Sequence, residues 1–280
     1  MAMTQQSFLS LGPDGFHRIA YTDWGDARNA HVVLCVHGLS RNSRDFDPLA
    51  EELETHYRVV CMDVVGCGDS DWLADKSGYS FSTYLSDAAS LIARVTTPLA
   101  ARPGSPIRRL VLNDVGPFVP WDALIRLKGR VGSESRFASY DEVEDYVRRA
   151  CESFGELDDA YWQHLARQAA VREDDGSYRL RYDPAISRGL PLHLDPEMPI
   201  GPQFMRGVDL WATWDALRCP VLVLRGAQSE VLTRGTVDEM IERKPNVKVV
   251  EFDRVGHAPA LASRDQIEVV REFLNSPDAG

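Results

Sequence analysis

Five short apolar runs punctuate this chain: His31–Val36, Tyr57–Val64, Ile107–Asn113, Pro220–Arg225 and Val247–Phe252. Each is rich in Val, Leu or Ile and lacks polar alternation, the pattern of a strand buried on both faces. Segments of helical periodicity lie between them: Pro48–His56 after a cap at Asp47, Tyr79–Val95, Thr236–Arg243 and Arg264–Leu274, the last opening with Ser263 and Gln266 in capping-box spacing. Strand alternating with helix predicts an α/β fold with a doubly wound, mostly parallel sheet. Ahead of it, Ser7–Leu11 and Phe16–Asp23 flank Gly12-Pro13-Asp14-Gly15 and read as a β-hairpin.

Between Trp121 and about Pro220 the alternation stops. Helix-like stretches at Trp121–Val131, Asp141–Phe154 and Asp158–Val171 follow one another without a strong strand, and Ser139 with Glu142 forms a second capping box. The expected organisation is an α/β core over residues 1–119 and 218–280, with a helical cap inserted at 120–217.

Charge and composition narrow the function classes. A net charge of −11 and a pI near 5.1 repel phosphate backbones and anionic lipid surfaces, so neither nucleic acid nor a membrane is an expected partner. The longest uninterrupted apolar run, Val32–Val36, is far short of the ~20 residues of a membrane-spanning helix. Met1–Gln6 has no basic residue ahead of an apolar stretch, which gives a cytoplasmic expectation. Of the five cysteines, Cys35, Cys61 and Cys219 lie in or beside apolar runs, Cys67 sits between two glycines and Cys151 in a helical pattern. With no Cys-x-x-Cys pair, reduced thiols are expected. The seven histidines show no i, i+4 pair and no His-x-Glu spacing, so no metal and no cofactor is expected.

The residues able to carry chemistry gather at strand ends. His37-Gly38-Leu39 ends the first buried run, where exposed backbone N–H groups form an oxyanion-hole turn or simply a tight turn that uses Gly38. Asp63-Val-Val-Gly66-Cys67-Gly68-Asp69-Ser70-Asp71 is a glycine-rich turn without the full dinucleotide motif. Glu230 follows the run Pro220–Arg225, and His257, in Val255-Gly256-His257, follows Val247–Phe252. Alone, each reads as a solvated surface residue. Together, a carboxylate after one strand and a histidine after the next are in the chain order of an acid-oriented base.

On these residues the chain resembles an α/β-hydrolase of the esterase and lipase-like type over nearly its whole length. The resemblance rests on His37-Gly38, Asp63 to Trp72, Leu110 to Pro117 and Gly256-His257. It implies that His257 is the catalytic base, Glu230 its orienting acid, and Leu39 with Gly38 the oxyanion hole. Asp114 is an alternative acid, standing at a second place where the family keeps one. The implied substrate is a small molecule, a carboxylic ester or related acyl compound, with no cofactor.

One family feature is missing. The nucleophile elbow Gly-x-Ser-x-Gly occurs nowhere in the 280 residues. Where it belongs, Thr96 to Pro106 carries three prolines and is too short for a strand and its helix, which together take about 17 residues. Pro98-Leu-Ala-Ala-Arg-Pro103 looks like the tail of a lost helix, and the sheet is expected to close up around the lost strand, leaving a crossover from 57–64 through 79–95 into 107–113. Ser40, Cys67, Ser70, Thr96, Thr97 and Ser105 are nearby hydroxyls and thiols, and none is nominated; the nucleophile is unassigned. Two functions therefore stand: an ester hydrolase, or a non-catalytic small-molecule-binding protein on the same fold. Trp121, Trp162, Trp211 and Trp214, with Phe204 and Met205, are candidates either for an apolar acyl pocket or for ordinary core, with core favoured for Trp211 and Trp214, which recur at helical spacing.

Overall fold

A computed structural model describes residues 3–95, 107–130, 136–189 and 207–277. Thr96, Thr97, Pro98–Pro103, Ser105, Phe204 and Met205 lie outside the described residues.

The elements run β1 (Thr4–Gly12), β2 (Gly15–Trp24), β3 (Val32–Val36), α1 (Asp47–Leu53), β4 (Arg58–Met62), α2 (Phe81–Val95), β5 (Leu110–Asn113), β6 (Phe118–Val119), α3 (Trp121–Arg130), β7 (Arg136–Phe137), α4 (Tyr140–Ala150), α5 (Asp159–Ala169), β8 (Ala170–Arg172), β9 (Tyr178–Leu180), β10 (Val208–Asp209), α6 (Trp211–Ala216), β11 (Val221–Gly226), α7 (Arg234–Arg243), β12 (Lys248–Phe252) and α8 (Arg264–Asn275). The α/β architecture is as expected, and the five apolar runs all supply strands. The chain forms two compact units. The first holds residues 1–104, 130–150 and 158–193, the second residues 105–129, 151–157 and 194–280.

In the first unit the sheet order is β1-β2-β4-β3. The hairpin forms with Gly12 facing Gly15 across Pro13-Asp14, β2 runs antiparallel to β4, and β3 runs parallel to β4. Val59, Val60 and Cys61 are wholly buried, because β4 is covered on both faces and flanked on both edges. Packed with this sheet are α1, α2, α4 and α5, and a small antiparallel sheet β7-β9-β8. Apolar patterning misses that sheet because its strands are two or three residues long; the visible signal is Asp175-Gly176, the turn between β8 and β9, with Gly176 at φ +85°.

In the second unit β12-β11-β5 form a wholly parallel sheet. β11 lies in the middle with all six residues buried. Its core joins Val221, Val223, Leu232, Val237 and Met240 to Trp214, and Trp211 packs partly buried against it. Among the described residues, Leu110–Asn113 pairs with β11 and with no strand of the sheet that holds β3 and β4, which differs from the expected crossover within one sheet. Among the described residues, β3 and β5 each keep one edge without a strand neighbour. This fits their half-buried side chains, where fully buried ones are expected of interior parallel strands.

Helix caps follow the sequence in part. Thr233 accepts from the Thr236 N–H, and Asp158 from the Tyr161 N–H. Ser139 accepts from the Glu142 N–H, while Glu142 reaches back to the Ala138 N–H. Ser263 makes no cap hydrogen bond, and the Gln266 side-chain oxygen accepts from the Leu261 N–H. No described helix is long and apolar enough to cross a membrane.

Candidate active site

The second unit brings a histidine and a carboxylate together at the carboxyl ends of its three strands. His257 follows β12 and Asp114 follows β5, and His257 Nδ1 lies 2.8 Å from Asp114 Oδ2. Asp114 is wholly buried, and the His257 side chain is 32% exposed. A buried carboxylate needs donors on every side. Asp114 has them: the Gly226 N–H donates to Oδ1 at 2.8 Å, and the Ser229 hydroxyl donates to Oδ2 at 2.5 Å. Asp114 also holds φ +56°, the left-handed region, which costs a non-glycine residue of order 1 kcal/mol. The donors around its carboxylate hold that conformation.

Glu230 does not take the place expected for it. Its side chain is 68% exposed and pairs with Arg126 at 3.0 Å, while Asp114, the alternative acid, meets the histidine. The physical reason lies at the end of β11, where the chain bends at Gly226. The Ser229 side chain turns inward there and the next residue, Glu230, faces solvent.

Two further contacts hold the histidine loop. The Gly256 N–H donates to the Ser153 carbonyl at 2.7 Å, and the Ser153 hydroxyl donates to the His257 carbonyl at 2.6 Å. Asn113 Nδ2 donates to the Pro259 carbonyl at 2.9 Å. Glycine is required where backbones meet: a Cβ on Gly226 would stand 2.2 Å from the Gly256 carbonyl oxygen, and one on Gly256 would stand 2.9 Å from Ser153 Cβ. Sequence reasoning missed Ser229, Ser153 and Asn113, since no local pattern marks a polar side chain that reaches a distant loop. Gly226 alone carried a readable signal, a glycine ending a buried strand.

The turn after β3 belongs to the first unit. His37 is buried, and its Nε2 accepts from the Val64 N–H at 2.9 Å. Its proton therefore sits on Nδ1, which donates to the Gly38 carbonyl at 2.6 Å. Burial holds the His37 imidazole below its usual pKa, outweighing the opposing pull of the Asp63 carboxylate. The Leu39 carbonyl accepts from the Cys67 thiol, and the Leu39 N–H meets no acceptor among the described residues. The buried Asp63 carboxylate accepts from the Ser43 N–H at 2.7 Å and the Asp69 N–H at 2.9 Å, tying together the loops after β3 and β4. Gly68, at φ +56°, leaves room for it, since a Cβ there would lie 2.3 Å from Asp63 Cγ.

Neither the thiol nor the hydroxyl in this loop is an activated nucleophile. Burial pushes the Cys67 thiol far above its ordinary pKa, so it stays protonated. The Ser70 hydroxyl donates to the Asp63 carbonyl and accepts from the Ala20 N–H, a structural bridge. Among the described residues, no hydroxyl or thiol hydrogen-bonds His257 Nε2, and no three His, Cys, Asp or Glu side chains are grouped to hold a metal.

Known proteins resemble this chain over most of its length. The model of a family described as "Alpha/beta hydrolase family" matches residues 33–272. A 3-hydroxybutyrate-oligomer hydrolase of Cupriavidus necator is 39% identical, over 94% of this chain and 95% of that protein. A 2-(acetamidomethylene)succinate hydrolase of Mesorhizobium japonicum is 26% identical over 81% of each chain. The crystal structure of an alpha/beta hydrolase from Novosphingobium aromaticivorans superposes with a TM-score of 0.78 at 32% identity, over 98% of this chain and 99% of that one.

Proposed function

Because this chain belongs to the alpha/beta hydrolase family, we propose that it hydrolyses a small carboxylic ester, with His257 as general base and Asp114 as the acid that orients it. The observation that carries this reading is the 2.8 Å contact of His257 Nδ1 with a carboxylate wholly buried among other donors. The Nδ1–H directed at Asp114 leaves the Nε2 lone pair to accept a proton. In the absence of an elbow serine, that proton comes from water attacking the ester carbonyl, and it passes on to the departing alkoxide. The 3-hydroxybutyrate-oligomer hydrolase relative favours a short hydroxyalkanoate ester as the substrate class. Five cysteines without a disulfide suit a reducing compartment such as the cytoplasm.

The test is turnover of p-nitrophenyl butyrate and of 3-hydroxybutyrate oligomers by the folded chain and by His257→Ala. Hydrolysis that disappears in the variant supports the reading. A folded chain that hydrolyses neither substrate, or a variant as active as its parent, rejects it.

A specific observation favours a second reading, a non-catalytic small-molecule-binding protein on the hydrolase fold: the chain has no Gly-x-Ser-x-Gly. About twenty positions of the Cupriavidus necator relative face no residue here, since 283 aligned positions draw on 94% of 280 residues. That is near the size of one strand and its helix, about 17 residues at mean lengths. Stoichiometric labelling of one serine by a fluorophosphonate probe would contradict this second reading.

A further inference from the structure

Ser229 lies 7% exposed in the turn after β11, and its hydroxyl has three hydrogen-bonding neighbours but only one proton. The Val231 and Leu232 N–H groups approach the Ser229 oxygen at 3.2 and 3.1 Å and occupy its two lone pairs. Its proton is therefore committed to Asp114 Oδ2, 2.5 Å away, the same oxygen that receives the His257 Nδ1–H.

We propose that Ser229 is a positioning residue for the His257–Asp114 pair, holding the carboxylate in the orientation that fixes the imidazole. The inference deepens the hydrolase reading above and rests on it for its catalytic consequence. Three features support a role beyond filling space. The hydroxyl is oriented by two backbone donors and not by a freely rotating neighbour. It shares one carboxylate oxygen with the histidine, so every change at position 229 is felt at the imidazole. The opposite oxygen, Oδ1, is held by the Gly226 N–H at 2.8 Å, so the carboxylate is gripped from both ends of the β11 turn.

The consequence has a definite sign. A hydroxyl donating to Asp114 offsets part of the negative charge that stabilises a protonated His257. Removing that hydroxyl strengthens the hold of Asp114 on the imidazolium, so the imidazole becomes more basic and the pair releases its proton at higher pH. Of the other charged groups on the surrounding turns, Asp253 is exposed and the others are engaged elsewhere. Glu230 pairs with Arg126, Arg225 bonds the Leu232 carbonyl and Glu251, and Arg254 pairs with Glu156.

The experiment is an NMR titration of the His257 imidazole in the full chain, without substrate, beside the pH profile of kcat for ester hydrolysis. Ser229→Ala is expected to move the His257 midpoint to higher pH than in the parent protein. Ser229→Thr, which keeps the hydroxyl, is expected to restore it, and the alkaline shift is expected to recur in the kcat profile. A folded Ser229→Ala protein with an unmoved His257 midpoint overturns the proposal. Should the alanine variant fail to fold, near-isosteric Ser229→Cys takes its place: a smaller shift in the same direction supports the proposal, and no shift overturns it. Because the titration needs no turnover, loss of the hydrolase reading and loss of this one give different results.

Discussion

His257 Nδ1 and Asp114 Oδ2, on residues 143 apart in the chain, meet at 2.8 Å, and that contact joins the ends of two strands of one parallel sheet. Asp114 is wholly buried, so the imidazole is its outlet towards solvent. The first prediction concerns which acid serves the base. Asp114→Asn replaces an acceptor with an amide able to favour the wrong imidazole tautomer, and kcat for p-nitrophenyl butyrate is expected to fall by about 100-fold or more. Glu230→Gln is expected to stay within about twofold, since that side chain is exposed and its pairing with Arg126 is a surface one. The reverse order of effects would return the acid to position 230.

The second prediction concerns acid stability. In the folded chain burial depresses the His37 pKa, whereas the unfolded chain has it near 6.5. The unfolded state therefore binds the extra proton first, and stability at this site is full above pH 6.5 and lost as pH falls below it. His37→Leu is expected to lower stability at pH 7.5 by about 1–3 kcal/mol, through loss of the acceptor for the Val64 N–H. It is also expected to flatten the decline between pH 7 and pH 5.5. Urea midpoints for the two proteins across that range check both.

A third prediction follows from the close approach of Gly226 to the histidine loop. A Cβ there would lie 2.2 Å from the Gly256 carbonyl oxygen and 2.5 Å from that of Val255, backbone atoms that cannot rotate away. Gly226→Ala is expected to cost about 3 kcal/mol or more in urea denaturation. The folded fraction is expected to lose the downfield Nδ1–H resonance of His257. Gly235→Ala, with only the Thr233 hydroxyl at 4.0 Å, is the control and is expected to be near neutral or better.

A fourth prediction uses the free edge of β3 among the described residues. Val36 is 49% exposed at the end of that strand, and an apolar open edge invites pairing with another chain. Val36→Lys is expected to reduce concentration-dependent light scattering on mild heating and to leave the melting temperature within a few degrees. Unchanged scattering would remove the edge as the site of association.

Much of the architecture was legible before any coordinates. The runs of β4 and β11 are strands because an uninterrupted row of Val, Leu and Ile is stable when covered on both faces, and the hairpin is set by Gly12-Pro13-Asp14-Gly15, where Gly15 takes φ +118°. His257 was legible too, as a loop histidine after the last strand. The small sheet β7-β9-β8 was not, because its strands are shorter than any apolar period can show.

The residues by themselves determined the hairpin, the five apolar strands, a loop histidine at 257, the turn at His37-Gly38-Leu39 and the absence of the serine elbow, since each is written in contiguous residues or in plain chain order. Tertiary structure alone decided which carboxylate the base meets. Chain order pointed to Glu230, one strand earlier, but the bend after Gly226 turns Ser229 inward and leaves Glu230 in solvent, while Asp114 enters from the neighbouring strand. Local periodicity governs which face of an element is apolar; it carries no information about which distant polar groups come to share one buried oxygen. That depends on how the strands pack and on which donors are left for a carboxylate that has given up water.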